Sequence, residues 1–200
     1  MKLRSKNTGF TIIEMLVVIV VIGILAAIVM VRYVPDYKDR TYKNRGFAEL
    51  QTFANATRLY VQKYNEYPDD VNRDVPAEIK EFIAGDEEND DWPNAPWPGS
   101  VFDYDNWQKD DNNNGQIEED LGEHIVQLSI RFCPLGGEIE TCQFPNEVWA
   151  ENFDQYSSVY YCLKGKCRAH VSKPIDHPGY CVNCGVQPSG MTNQTFFTKL

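Results

Sequence analysis

From residue 10 to residue 31 the chain is apolar except for one charged side chain, Glu14. An α-helix rises about 1.5 Å per residue, so this run reaches about 33 Å, enough to cross the hydrocarbon layer of a bilayer. The segment can therefore span a membrane.

Residues 1–9 carry Lys2, Arg4 and Lys6 and no acid, the charge pattern of a targeting leader. In an ordinary signal peptide the small-residue cleavage site follows the apolar region. Here the small residue, Gly9, precedes it. A cut between Gly9 and Phe10 removes the basic leader and leaves the apolar helix on the mature protein.

The stretch GFTIIEMLVVIVVIGILAAI, residues 9–28, resembles the N-terminal signature of type IV pilins and pseudopilins, the class III signal proteins. The resemblance implies cleavage at Gly9/Phe10 by a prepilin peptidase and N-methylation of the new Phe10 amine. It further implies passage through an inner-membrane assembly platform into a homo-oligomeric or mixed pilin filament, with the apolar helix inside. The C-terminal domain then lies outside the cytoplasm, on a surface pilus or a periplasmic pseudopilus. A carboxylate within a spanning helix costs about 2.5–3.5 kcal/mol on insertion scales, so Glu14 is an assembly candidate that needs a partner. The Phe10 α-amino group of a neighbouring subunit answers that need and sets the axial register. The alternative is a Glu14 that snorkels to the headgroups of a simple anchor.

The formal charge of the whole chain is −10, and loss of the three basic leader residues takes the mature chain to −13. This balance argues against nucleic acid as a primary ligand. Arg32, Lys38, Arg40, Lys43 and Arg45 follow the apolar run, so basic residues flank it on both sides. The positive-inside rule therefore does not orient the helix; the external placement rests on the leader's resemblance. The six cysteines, all from Cys133 onward, are consistent with an oxidising compartment.

Four regions are expected: a leader at 1–9, a transmembrane or filament-core helix at 10–33, an amphipathic helix at 34–66 and a globular head at 67–200. Pro35 removes a backbone donor and should kink or loosen the helix, or else mark a short turn. Phe47, Leu50, Ala54, Thr57, Val61 and Tyr64 recur at spacings of three and four, with Phe53 and Tyr60 widening the stripe, which predicts a helix lying on an apolar surface. The run YNEYP, residues 64–68, ends that helix before Pro68 and resembles the helix exit of pseudopilins. Pro76, Ile79, Phe82 and Ile83 read as one short helix. In the acidic, proline-rich loop 86–99, Trp92 and Trp97 are expected to cover the domain edge rather than stack on a sugar. DDWPNAPW resembles the aspartate–tryptophan turn of major pseudopilins, without their glycine after the tryptophan.

Strands are predicted at 100–104, at 126–132 with Gln127, Ser129 and Arg131 alternating towards solvent, and at 159–163 turning at Lys164-Gly165 and returning from 166 to 171. The predicted fold class is α+β: a long N-terminal helix, apolar then amphipathic, packed on a small antiparallel sheet with a cysteine-rich C-terminal region.

Residues 110–120 read as a calcium loop. Asp110, Asn112 and Asn114 fall at the first three ligand positions of an EF-hand-like loop and Gly115 at its sharp turn. Gln116 offers a backbone carbonyl and Glu118 a direct or water-bridged ligand. Leu121 stands where the bidentate acid belongs, so Asp120 or Glu119 has to substitute, and the affinity falls in the extracellular range of about 0.1–1 mM. The bland alternative is a solvated polar turn.

A two-residue turn at Lys164-Gly165 sets Cys162 opposite Cys167, close enough for a cross-strand disulfide. Cys133 with Cys142 and Cys181 with Cys184 complete an all-local set among the 15 possible pairings. The rival is zinc on Cys162, Cys167, Cys181 and Cys184, in C-x4-C-x13-C-x2-C spacing. An oxidising compartment favours the bonds.

No nucleophile–base–acid constellation and no glycine-rich phosphate loop is legible in the sequence. The reading is a structural filament subunit of a type IV pilus or related filament, serving adhesion, motility, DNA uptake or secretion. A type II secretion pseudopilin is the alternative within the class, and a non-polymerising membrane-anchored binding module the alternative outside it.

Overall fold

A computed structural model describes residues 10–83, 92–107, 124–171, 177–188 and 197, with backbone only for residues 31–37. The chain divides into two compact units, Met1–Tyr42 and Lys43–Leu200. Helix α1, Ile12–Tyr64, contributes its first part to one unit and its last part to the other. It is helical throughout, including position 35, so the alternative of a turn there is not realised.

In the second unit the amphipathic stripe is buried as its spacing requires: Leu50, Phe53, Ala54 and Thr57 are all inside. Tyr64, the last member of the stripe, is exposed, and its hydroxyl donates to Glu81 at 3.0 Å. The helix stops before Pro68 exerts its effect. Asn65 takes φ +60°, a left-handed conformation that asparagine tolerates as a helix C-terminal residue, and its N–H returns to the Val61 carbonyl at 2.8 Å. The short helix expected after Pro76 is a 3-10 helix, Ala77–Phe82.

Four strands form one sheet in the order β1 (Val101–Trp107), β2 (Ile125–Arg131), β3 (Ser158–Lys164) and β4 (Gly179–Cys181). The first three pair antiparallel. β4 lies parallel to β3, so the sheet is mixed rather than antiparallel. The expected return strand at 166–171 does not form. The backbone N–H and carbonyl of Cys162 are taken instead by the side-chain amide of Asn183, both at 2.8 Å, which occupies the edge of β3 beyond β4.

Register places Phe102, Tyr104, Val126, Leu128, Ile130, Val159 and Tyr161 on one face, since alternate residues of a strand share a side. This face packs on α1: Phe53 meets the Phe102 ring edge to face at 5.0 Å, and the Arg58 guanidinium sits over Tyr161. A glycine inside a helix is ordinarily unfavourable by about 1 kcal/mol. Gly46 is needed for the approach, because a Cβ there would lie 3.0 Å from both Ile130 Cδ1 and Trp97 Cζ3. Trp97 is itself core, packed on Phe132 and on Trp149 of a second short helix, α2 (Glu147–Asn152), whose first turn is capped by Asn146.

The opposite face is where the alternation of β2 misleads. Gln127, Ser129 and Arg131 are fully buried rather than solvated, as is Ser158, and Asp103 and Asp105 beside them are buried too. The segment 167–171, expected to extend the sheet, instead crosses over this face and covers it. Cys167, Ala169 and Val171 pack with Ile125, Tyr160 and Cys181 into a second small core. Glycine at 179 permits the crossing, since a Cβ there would collide with the Ala169 side chain.

Candidate functional site

The N-terminal helix is the feature of the molecule that its own packing does not explain. Ile12–Met30 is long and apolar enough to cross a membrane, and none of it is buried. Its large apolar side chains range from about half exposed, Val18 at 47%, to nearly free, Ile12 at 87%. Burying a side chain of this kind is worth about 1.5–3 kcal/mol, so together they represent on the order of tens of kcal/mol of unrealised burial. Such a surface needs lipid or other helices around it.

The start of the helix is built by Thr11 and Glu14. The Thr11 hydroxyl accepts from the Glu14 N–H at 3.2 Å, and Glu14 Oε2 accepts from the Thr11 N–H and hydroxyl, both at 2.8 Å. This is a reciprocal capping box, which satisfies two of the orphan donors that every helix start leaves. The T-x-x-E text ahead of an apolar run carries that signal. In the single chain, therefore, the carboxylate is held by its own helix turn. A neighbour's Phe10 amine would have to share or displace those bonds. Phe10 is 76% exposed and stands one residue before the cap. Gly9 lies outside the described residues.

In the head, the structure closes all three local disulfides: Cys133–Cys142, Cys162–Cys167 and Cys181–Cys184. The second does not bridge a hairpin. Its Cα atoms are 5.6 Å apart, and it ties the end of β3 to the start of the covering segment. With Cys162, Cys167, Cys181 and Cys184 joined in two bonds, no four-thiolate set is formed for zinc. Among the described residues no group of three or more histidine, cysteine and carboxylate side chains is placed to hold a metal. The calcium-type loop, with Asp110, Asn112, Asn114, Gln116, Glu118 and Asp120, lies outside the described residues.

The covered sheet face holds a buried ionic cluster that the sequence reading missed. Arg131, 1% exposed, donates from Nε to Asp103 Oδ2 at 2.7 Å and from Nη2 to Asp105 Oδ2 at 3.1 Å, and its Nη1 reaches the Ala169 carbonyl. Ser158 also donates to that carbonyl, and the Gln127 amide exchanges bonds with the Arg168 backbone. Burial, reinforced by the neighbouring Asp103 charge and opposed by Arg131, pushes the Asp105 carboxyl up to about 7. The cluster fastens the cysteine-rich segment to the sheet. Two acids at alternate positions of β1 and a basic residue on β2 were the available signal, but only the register shows that they share a buried side.

Residues 4–30 match the family model described as the prokaryotic N-terminal methylation motif. The chain carries that motif. The match takes in the capping box, the exposed Phe10 and the exposed apolar helix as far as Met30. Similar proteins include the type II secretion system core protein G of Escherichia coli (strain K12), 32% identical over 68 residues, which are 34% of this chain and 46% of that protein. The protein of the same name from Vibrio cholerae is 32% identical over 68 residues, with the same coverage of both chains. That from Aeromonas hydrophila is 31% identical over 65 residues, 32% of this chain and 45% of the relative. The chain thus spans less than half the length of the curated relatives it matches. No solved structure matches it.

Proposed function

We propose that this chain is a structural, non-catalytic subunit of a type IV pilus or related filament, cleaved by a prepilin peptidase between Gly9 and Phe10, methylated at Phe10 and assembled through α1. The observation that carries this reading is an apolar helix, none of it buried, lying within a methylation motif. Before assembly the helix anchors the chain in the inner membrane with the disulfide-bonded head outside the cytoplasm. Extraction into a filament exchanges lipid for other helices. Glu14 then leaves its capping box, at least in part, to pair with the Phe10 amine of a neighbour.

Glu14→Ala tests the assembly step. The expected outcome is a processed, membrane-inserted chain that no longer enters sheared filaments, and undiminished filament assembly refutes charge pairing. Intact mass tests the processing: material from filaments should begin at N-methylated Phe10.

Within the class, the names of the relatives favour a type II secretion pseudopilin. That reading expects deletion of the gene to retain a secreted enzyme in the periplasm. Loss of surface filaments with secretion intact favours a pilus subunit.

A further inference from the structure

We propose that a cleft in the head, between residues 71–80 and Trp92, is a carbohydrate-binding site. The cleft has a volume of about 650 Å³ and is lined by Trp92 with Asp74, Glu78, Lys80 and Asn94, over a floor that includes Val75. Its volume falls in the range of small-molecule sites, about 300–1,000 Å³, with room for a short oligosaccharide.

The lining chemistry selects the ligand class. A sugar ring has an apolar C–H face that stacks on an aromatic platform and a rim of hydroxyls that both donate and accept. Trp92 supplies the platform: it is half-buried, packed against Phe53 at 5.3 Å with the planes nearly perpendicular. Trp97 and Trp149, by contrast, are buried in the core. Around the platform, Asp74 and Glu78 accept hydrogen bonds from hydroxyls, and the Asn94 amide both donates and accepts. The Lys80 ammonium sits 5.3 Å from the Trp92 ring centroid, so a sugar that stacks on that face takes its place. Two carboxylates against one ammonium favour neutral or N-acetylated sugars over acidic ones.

Both walls of the cleft are anchored to the rigid head. Arg73, in the left-handed conformation at φ +61°, turns the chain just before Asp74, and its N–H bonds Asp103 Oδ1 at 2.7 Å, within the buried cluster. Asp74 Oδ1 accepts from the Val75 N–H at 2.8 Å, and Val75 is buried. On the other wall, Arg45 of α1 holds the Asn94 carbonyl at 2.9 Å. A site held this way loses little freedom when a ligand binds.

The test uses the full chain in a detergent without a sugar headgroup. Binding of chitotriose, maltotriose and cellotriose is followed by saturation-transfer NMR and tryptophan fluorescence, with sialyllactose as the acidic comparison. At least one neutral trisaccharide is expected to bind, with sialyllactose weaker. Trp92→Ala should weaken binding roughly 10-fold or more, which is the scale of one lost aromatic stacking contact. Because Trp92 also packs on Phe53, Asp74→Asn and Asn94→Ala are measured alongside; each should weaken binding several-fold with the melting temperature unchanged. No binding of any neutral trisaccharide, binding indifferent to all three substitutions, or preference for sialyllactose overturns the proposal.

Discussion

Replacing Arg131 with methionine removes the guanidinium that hydrogen-bonds two buried carboxylates and a backbone carbonyl, and leaves the charge of Arg73 acting on those carboxylates from nearby. Methionine fills a similar volume, so the perturbation is electrostatic rather than a cavity. The side chains of Asp103 and Asp105 are 6% and 11% exposed, so water cannot replace the lost partner. Stripping one member from a buried ion pair typically costs about 3–5 kcal/mol, because the remaining charge stays buried and unpaired. For a chain of this size each kcal/mol moves the melting temperature by about 2–4 °C, which gives an expected fall of roughly 6–20 °C. The assay is thermal unfolding of the detergent-solubilised, oxidised protein followed by near-ultraviolet circular dichroism, which reads the packing of Trp97 and Trp149. The pH matters. A protonated Asp105 has no charge to strand, so the loss should be larger at pH 8 than at pH 5. A fall of less than about 3 °C at pH 8, or a loss equal at both pH values, refutes the claim that the cluster is a buried, charge-balanced fastener.

The wild-type protein should show the same linkage. Asp105 has a folded-state pKa raised from 3.8 to about 7, so its contribution to stability is fully present below about pH 4 and is lost as the pH rises through 7; Asp105→Asn should flatten the stability profile over that window, and an unchanged profile contradicts the assignment. Gly46→Leu forces a side chain against Ile130 and Trp97, and unfolding measurements should show a loss of about 1–3 kcal/mol despite the gain in helix propensity. If residues 110–120 hold calcium, chelation lowers the melting temperature and Asp110→Ala removes the effect; a chelator without effect on the wild type ends that proposal.

The division between sequence and tertiary structure follows interaction range. Properties carried by neighbouring residues were legible. The spanning helix is a matter of length and uninterrupted apolarity, the buried stripe from Leu50 to Thr57 is a 3.6-residue period, and the short-range disulfides join cysteines close in the chain. Long-range pairing was not legible. Alternation in β2 says that Gln127 and Arg131 share a face, but whether water or protein covers that face depends on where residues 167–171 go. The hairpin written into Lys164-Gly165 was a local preference that lost to tertiary bonds. The Asn183 amide took the backbone of Cys162, while Arg131 and Ser158 took the carbonyl of Ala169. A buried polar group that is left without a partner is costly, so the path that gave Arg131, Ser158 and the Cys162 backbone their partners prevailed over the path that merely extended the sheet.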